Sequence, residues 1–202
     1  MIEIVKSGGP MMIPLLLASI IGVAIFLERL YSLRRKNIIP EPVINAIYHL
    51  KNESDVQSLK SLCHSHPGVL SDLVLECLEN RDLSLEELKD YMEDQGRHAI
   101  RYLQRGLGGL EAVGTTAPLM GLLGTIFGMI KVFDTIKTMG VGQAKALSGG
   151  ISEALITTAT GLVIAIPILL VYYFLNGRTE DLILQIEKNL IILINKLNKI
   201  ND

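Results

Sequence analysis

The sequence contains no tryptophan, and aromatic residues make up only 5% of its 202 positions. Cysteine occurs twice, at Cys63 and Cys77, and both positions lie outside the apolar blocks. The orientation derived below places this part of the chain in the cytoplasm, where thiols stay reduced, so no disulfide is expected. Cys63 begins the run Cys-His-Ser-His, but this spacing matches no standard zinc pattern, and no metal site is expected.

The sequence also lacks a strong charge of either sign. Its formal net charge is −2, which leaves no broad basic surface to neutralise phosphates and argues against a nucleic-acid-binding protein. No glycine-rich phosphate loop, Ser-His-Asp set or paired-carboxylate constellation stands out in the polar part of the chain. The sequence therefore does not indicate an enzyme, and no cofactor is expected.

What the sequence does contain is apolar residues gathered into long runs. Hydrophobic residues make up 49% of the chain, and the mean hydropathy is +0.39. The first run, residues 10–27, has no charge and is about as long as the roughly 20 residues that cross a bilayer. A signal peptide carries its positive charge before the apolar core, whereas here Arg29, Arg34, Arg35 and Lys36 follow it. We therefore predict a retained first span, preceded by a short periplasmic N-terminus over residues 1–9.

Residues 28–106 are polar and predict a cytoplasmic domain of short helices separated by Pro-, Gly- and Asn-containing turns. Ser84 and Glu87 have the spacing of a capping box, in which a serine N-cap is followed three residues later by glutamate. The helix that starts there would bury Leu85, Leu88 and Met92 on one side. Its charged residues are expected to form solvated faces.

Two further apolar runs predict a second span over residues 107–133 and a third over residues 150–175. The short connection 134–149 would be a periplasmic loop, and residues 176–202 form an amphipathic helix that extends the third span into the cytoplasm. Lys and Arg residues near the ends of the spans are more numerous on the side where residues 28–106 lie. Because such residues concentrate on the cytoplasmic side of a membrane, this side is predicted to be the cytoplasm. The sequence thus predicts an all-α integral membrane protein with three transmembrane helices, N-terminus outside, C-terminus inside, and long cytoplasmic helical extensions.

The stretch from 114 to 128 is too apolar for a loop and unusually rich in glycine and threonine. On a helical wheel of about 100° per residue, one side of the helix carries a stripe of glycine, proline and threonine. These are Gly114, Pro118, Gly121, Thr125 and Gly128. A helix without bulky side chains along one face requires a very close neighbouring helix, a narrow aqueous path, or both.

The third span carries two stripes on the same wheel. One consists of Glu153, Thr157, Thr160 and Pro167, and the other of Ala154, Thr158, Gly161 and Ala165. Gly161 and Pro167 are expected to pack closely, like the glycines of the second span. In an antiparallel hairpin, Thr125 and Thr158 each lie eight residues from the predicted turn, so both hydroxyls would lie about 12 Å below the outer boundary, with Glu153 above them.

A carboxyl near the outer mouth with hydroxyls below it suits a path for protons or cations, because an ionisable residue inside a span is a functional candidate. A purely structural role for these residues stays open at this point. Glu153 lies near a helix N-terminus, where the helix dipole favours a negative charge. Threonine hydroxyls can also bond back to carbonyls of their own helix.

Two long motifs resemble those of a known family. Residues 115–129, Thr-Thr-Ala-Pro-Leu-Met-Gly-Leu-Leu-Gly-Thr-Ile-Phe-Gly-Met, resemble the second-span signature of the MotA/TolQ/ExbB proton-channel family. Residues 150–167, Gly-Ile-Ser-Glu-Ala-Leu-Ile-Thr-Thr-Ala-Thr-Gly-Leu-Val-Ile-Ala-Ile-Pro, resemble its third-span signature. The pattern is closest to ExbB and TolQ, since MotA is usually longer and has four spans. Residues before about 108 match in layout only.

The resemblance implies roles for individual residues. The pore threonines of the second and third spans fall on Thr125 and Thr158, and the acidic residue near the outer mouth falls on Glu153. Thr157 and Thr160 are additional hydroxyls that widen the hydrated face or bond to backbone. The cytoplasmic half of the path would be lined by Thr115 and Thr116.

The resemblance also implies an assembly in the bacterial inner membrane. Five copies would form a ring around an ExbD- or TolR-like single-span partner whose membrane aspartate binds and releases the proton. The moving partner would energise TonB for outer-membrane import, or TolA for envelope maintenance. The sequence does not decide between these two roles, nor between proton and sodium. A non-conducting membrane scaffold, in which the small-residue faces only pack helices, stays as an alternative.

Overall fold

The computed structural model describes residues 7–140 and 144–201, and within these ranges it consists of helices joined by short turns, with no β-strand, as predicted. The helices are α1 (Met12–Ser32), α2 (Arg35–Ile38), α3 (Glu41–His49), α4 (Glu53–Ser65), α5 (Val69–Glu79), α6 (Leu85–Gln104), α7 (Leu107–Met139) and α8 (Ala144–Asn201).

Among the described residues, three helical segments are long and apolar enough to cross a membrane, which confirms the three predicted spans. They are Met12–Ser32, Leu107–Thr138 and Leu147–Ile200. Helices α7 and α8 both run further than the predicted span limits. The hydroxyls of Thr135 and Thr138 donate to carbonyls one turn back in α7, and this helix ends where Gly140 adopts a φ of 77°. The third span and the amphipathic segment after it form one helix of 58 residues. Of the predicted loop, residues 141–143 lie outside the described residues.

The chain divides into two compact units. The apolar unit comprises Met1–Glu28 and Gly106–Phe174, and it contains most of α1, all of α7 and the first half of α8. Its small core contains Met12 and Leu15 of α1, Ala117 of α7 and Ala165 of α8. Large apolar side chains point outward from these helices; Leu119, for example, is 63% exposed. Such a surface suits lipid, which is as apolar as leucine.

The polar unit comprises Arg29–Arg105 and Leu175–Asp202. Within it α4 packs on α3 and α5, and α5 packs on α6. Its core is built from large aliphatic side chains, including Ile47, Leu59, Leu70, Leu103 and Leu193. Burial of such side chains in a water-exposed unit is the main driving force for folding.

Capping boxes at Asn52 and Ser84 fix the starts of two helices in the polar unit. The predicted box at the start of α6 is confirmed: Ser84 Oγ accepts from the Glu87 N–H, and Glu87 Oε2 accepts from the Ser84 N–H over 3.0 Å. The Ser84 hydroxyl also donates to Glu87 Oε2 over 2.6 Å, and this bond, together with the one from the Ser84 N–H, lowers the pKa of the Glu87 carboxyl. Asn52 and Asp55 form an equivalent box at the start of α4.

Both cysteines are buried in the polar unit and both thiols are free. Burial raises the pKa of Cys77 to about 12. The pKa of Cys63 is raised to about 11, mainly by burial and further by the negative charge of Asp72. Since the thiolate is the reactive form, both residues are chemically inert in the folded chain at neutral pH.

Candidate functional site on the α7–α8 hairpin

Small residues form a buried stripe along one face of α7. The buried positions are Gly114, Ala117, Gly121, Gly124 and Gly128. The stripe predicted from the helical wheel shares its other three glycines with this one, but it includes Pro118 and Thr125 where the structure has Ala117 and Gly124. In the structure Pro118 and Thr125 lie at the margin of the stripe and are partly exposed.

Helix α8 approaches this face more closely than side chains would allow. A Cβ at Gly161 would lie 2.6 Å from the Ala117 carbonyl oxygen, and one at Gly121 would lie 3.1 Å from the Cα of Thr158. Towards the hairpin turn, a Cβ at Gly128 would lie 2.8 Å from the Cβ of Ala154. The two backbones are therefore in direct contact, as in membrane helix pairs that associate through small residues.

Thr158 forms a hydrogen bond between the two helices. Its hydroxyl donates to the Gly121 carbonyl over 2.9 Å, while the Thr125 hydroxyl donates to the Leu122 carbonyl of its own helix over 2.6 Å. The prediction that Thr125 and Thr158 share one depth is wrong: Thr158 lies beside Gly121, about one helical turn from Thr125. The interlocking of small residues sets the register of the hairpin, and counting residues from the turn does not reproduce it.

Thr157 is fully buried and links α8 to the residues that precede α1. Its hydroxyl lies 2.7 Å from the Gly8 carbonyl oxygen and 2.8 Å from the Glu153 carbonyl oxygen, and donates toward both. Its methyl group fills the space left by the missing side chain of Gly124. The sequence identifies Thr157 as an additional hydroxyl but does not predict that Gly8 accepts its hydrogen bond.

Glu153 forms an ion pair with Lys131 of α7, with 2.5 Å between its Oε1 and Lys131 Nζ. The Glu153 side chain is 19% exposed and that of Lys131 is 52% exposed. Gly9, which has a φ of +68°, packs directly against the Glu153 carboxylate. This ion pair is not among the predictions made from the sequence. A lysine and a glutamate near the same end of two adjacent antiparallel spans are the signal that could have indicated it.

The remaining predicted hydroxyls bond to their own helices. Thr160 donates to the Ile156 carbonyl over 2.8 Å, and Thr116 donates to the Ala112 carbonyl over 2.6 Å. Thr115 donates to the Glu111 carbonyl over 2.9 Å. Pro167 is exposed in the single chain, and its close packing stays a prediction. The hydrogen bonds of the three threonines use their hydroxyl protons, while the lone pairs of the hydroxyl oxygens stay available to accept further hydrogen bonds.

Helix α1 covers one edge of the hairpin. Met12 and Leu15 pack with Ala117 and Ala165, and Gly22 lies against Ile168. On a helical wheel Lys131 and Glu153 lie about 60° to 80° from the buried line of their helices, on the side where α1 packs. The two threonines Thr125 and Thr158 lie about 60° to the opposite side of those lines, on the other edge of the hairpin.

The predicted site residues therefore fall on two edges of one hairpin. The α1 edge contains the Lys131–Glu153 ion pair and the buried Thr157 hydroxyl. The other edge presents the partly exposed Thr125 and Thr158, whose hydroxyl oxygens can accept hydrogen bonds from water or coordinate a passing cation. Within the described residues no group of three His, Cys, Asp or Glu side chains lies close enough to hold a metal ion.

Comparison with known proteins gives a consistent result. Residues 65–188 match the sequence model of the MotA/TolQ/ExbB proton channel family. An ExbB-like biopolymer transport protein of Synechocystis sp. is 34% identical over 169 residues, which cover 82% of this chain and 66% of that protein, just under two thirds of its length. Biopolymer transport protein ExbB of Neisseria meningitidis is 30% identical over 198 residues, covering 88% of this chain and 87% of the relative. The Tol-Pal system protein TolQ of Pseudomonas aeruginosa is 34% identical over 126 residues, covering 61% and 49%.

Proposed function

This chain belongs to the MotA/TolQ/ExbB proton channel family, and we propose that it is the ring-forming subunit of an ExbB-like motor driven by proton flow. It is a multi-pass protein of the inner membrane. Its family is one of transport channels and not of enzymes. In the proposed motor, five copies surround an ExbD- or TolR-like single-span partner, and proton movement energises a TonB-like protein for outer-membrane transport.

The placement of Thr125 and Thr158 is the observation that supports this function best. Both hydroxyls lie on the edge of the α7–α8 hairpin opposite to the one that α1 covers. Neither threonine is fully buried in the single chain. In the proposed ring this edge faces the partner helix, and the two hydroxyls stabilise water or a hydrated proton beside the partner's aspartate.

The glycine stripe supports the same arrangement. Because Gly121 and Gly161 bring the backbones of α7 and α8 into contact, the two helix axes lie close together at these residues. In the proposed ring, five such hairpins surround the single helix of the partner. The orientation in this proposal, N-terminus outside and C-terminus inside, follows from the Lys and Arg bias near the spans.

A Tol-type motor for envelope maintenance is a second candidate function. The 34% identity to a TolQ protein favours it, over a shorter region than the ExbB similarities cover. The partner then would be TolR-like and the energised protein TolA-like. The proposed path through Thr125 and Thr158 is the same in both cases, so the partner protein distinguishes them.

The proposal is tested by co-expressing the chain with a single-span partner and measuring transport energised by the proton gradient. Thr125→Val and Thr158→Val each should abolish transport while the purified complex keeps its subunit count. Thr135→Val, which removes a hydroxyl near the outer end of the same α7 helix, is the matched control and should leave transport intact. Full transport in both site variants would overturn the proposed path, and a complex of one or two copies would favour a scaffold.

A further inference from the structure

Glu153 lies where three parts of the apolar unit meet. Its carboxylate contacts Lys131 Nζ from α7 on one side and Gly9 on the other. Its backbone carbonyl accepts from Thr157, one turn further along α8. The same Thr157 hydroxyl lies 2.7 Å from the Gly8 carbonyl. The segment before α1 is therefore connected to α8 twice, once through a hydrogen bond and once through packing on a paired carboxylate.

The two glycines of this segment are required by these contacts. Gly9 has a φ of +68°, a conformation that side chains disfavour, and a Cβ there would overlap the Glu153 carboxylate. A Cβ at Gly8 would lie 2.5 Å from Met12 Cγ and 3.3 Å from Ile156 Cγ2. The backbone of residues 8–9 thus lies directly on α8, with no side chain between them.

We infer that Gly8, Gly9, Lys131, Glu153 and Thr157 form a clasp that fixes the segment before α1 to the α7–α8 hairpin. In this clasp Lys131 is a positioning residue: its ammonium group balances the Glu153 charge and holds the carboxylate beneath Gly9. The clasp lies on the edge that α1 covers, away from Thr125 and Thr158. It exists whether or not the proposed motor function is correct.

Cysteine labelling tests the clasp without any transport assay. The native Cys63 and Cys77 are buried, so a Met12→Cys substitution introduces one new thiol at a residue that is 2% exposed and lies directly beside Gly8. The probe is a polar maleimide, and the rate is measured on the whole chain purified in detergent. In the Met12→Cys background the clasp predicts slow labelling, because the thiol stays covered while residues 8–9 are held on α8.

Thr157→Val keeps the methyl group that fills the space at Gly124 but removes the donor to the buried Gly8 carbonyl. It should raise the labelling rate about tenfold, as expected when a buried acceptor loses its donor. Thr160→Val is the matched control: it removes a hydroxyl that bonds to the Ile156 carbonyl of its own helix, and should leave the rate unchanged.

Lys131→Gln should raise the rate about threefold, the range expected for loss of a half-exposed ion pair. Lys137→Gln, an exposed lysine on the same helix, serves as its control and should have no effect. Lys131→Arg, which keeps a positive charge beside the Glu153 carboxylate, should keep labelling slow. Equal labelling rates in the parent, Thr157→Val and Lys131→Gln would overturn the clasp. Labelling of Lys131→Arg as fast as that of Lys131→Gln would overturn the positioning role of Lys131.

Discussion

The two units of this chain hold their helices together in different ways. In the polar unit the core consists of large side chains such as Leu59, Leu70 and Leu193, which are fully buried. In the apolar unit the α7–α8 contact consists of glycines, backbone carbonyls and threonine hydroxyls, while leucines such as Leu119 point outward. The pattern of small and large residues is reversed between the two.

The difference follows from the surrounding solvent. In water, burying a leucine gains the hydrophobic free energy, so large side chains form the core. In lipid an outward leucine loses nothing, and helices associate through close backbone approach and hydrogen bonds across the interface. Each unit is therefore expected to respond to substitutions that hardly affect the other.

The largest expected effect is on the aliphatic core of the polar unit. Leu70→Ala should lower the free energy of unfolding by about 2–5 kcal/mol, because it removes buried methyl groups and leaves a cavity. Urea titration of the whole chain in detergent measures this change. The matched variant Leu83→Ala, at a residue that is 41% exposed, should change stability by less than about 0.5 kcal/mol. Equal effects at both positions would contradict the leucine-based core.

In the apolar unit, one added methyl group should disrupt the close contact between α7 and α8. Gly161→Ala places a Cβ 2.6 Å from the Ala117 carbonyl oxygen, so α7 and α8 must separate, at a cost of about 1–3 kcal/mol. The control is Gly149→Ala on the same helix, where nothing lies within 4 Å. This variant should gain about 0.5–1 kcal/mol from the better helix propensity of alanine. Thermal unfolding in detergent should therefore shift in opposite directions for the two variants.

The buried thiols predict a pH dependence that belongs to the polar unit. The folded chain holds the pKa of Cys77 near 12, against 9.0 without burial. Between these values the unfolded chain loses a proton that the folded chain keeps, so stability falls as pH rises above about 9. Each such thiol contributes about 1.4 kcal/mol per pH unit in this window.

Cys77→Ala should remove this contribution, and the slope of stability against pH between about 9 and 11 should become shallower by that amount. Comparing slopes rather than absolute stabilities cancels the effect of the lost sulfur atom. An unchanged slope would show that the thiol does not titrate differently in the folded and unfolded chains.

The smallest expected effect concerns helix capping, which also differs between the units. Helix α6 begins with the Ser84–Glu87 box, whereas α7 follows Gly106, which has no side-chain cap. Ser84→Ala should cost about 1 kcal/mol, because the first-turn N–H groups lose their acceptor. Ser58→Ala within α4 removes only a bond back to the Ser54 carbonyl and should be nearly neutral. Urea titration of the two variants in parallel measures the difference.

Much of the fold could be predicted because its causes are local. A run of about 18 apolar residues indicates a span whatever it packs against, and the box at Ser84 and Glu87 satisfies a helix start by itself. The helical wheel also gives the correct general direction for Gly114, Gly121 and Gly128, which are all buried.

The arrangement of the site could not be predicted in the same way. Thr157 and Gly8 are 149 residues apart in sequence, and no periodicity connects them. The level of Thr158 relative to Thr125 depends on which glycines interlock across the hairpin. A wheel places Glu153 and Thr158 on two sides of α8 but does not say which side α1 will cover. Packing between distant segments decides all three.

The glycine face of α7 has a consequence for how this sequence can vary. At Gly121, Gly124 and Gly128 almost every alternative residue collides with α8, whereas Leu119, Leu122 and Ile126 can exchange freely among apolar side chains. A library of single substitutions across residues 114–128 should therefore show intolerance recurring every three or four positions, with permissive positions between. The spacing of the intolerant positions would by itself trace the line along which the two helices touch.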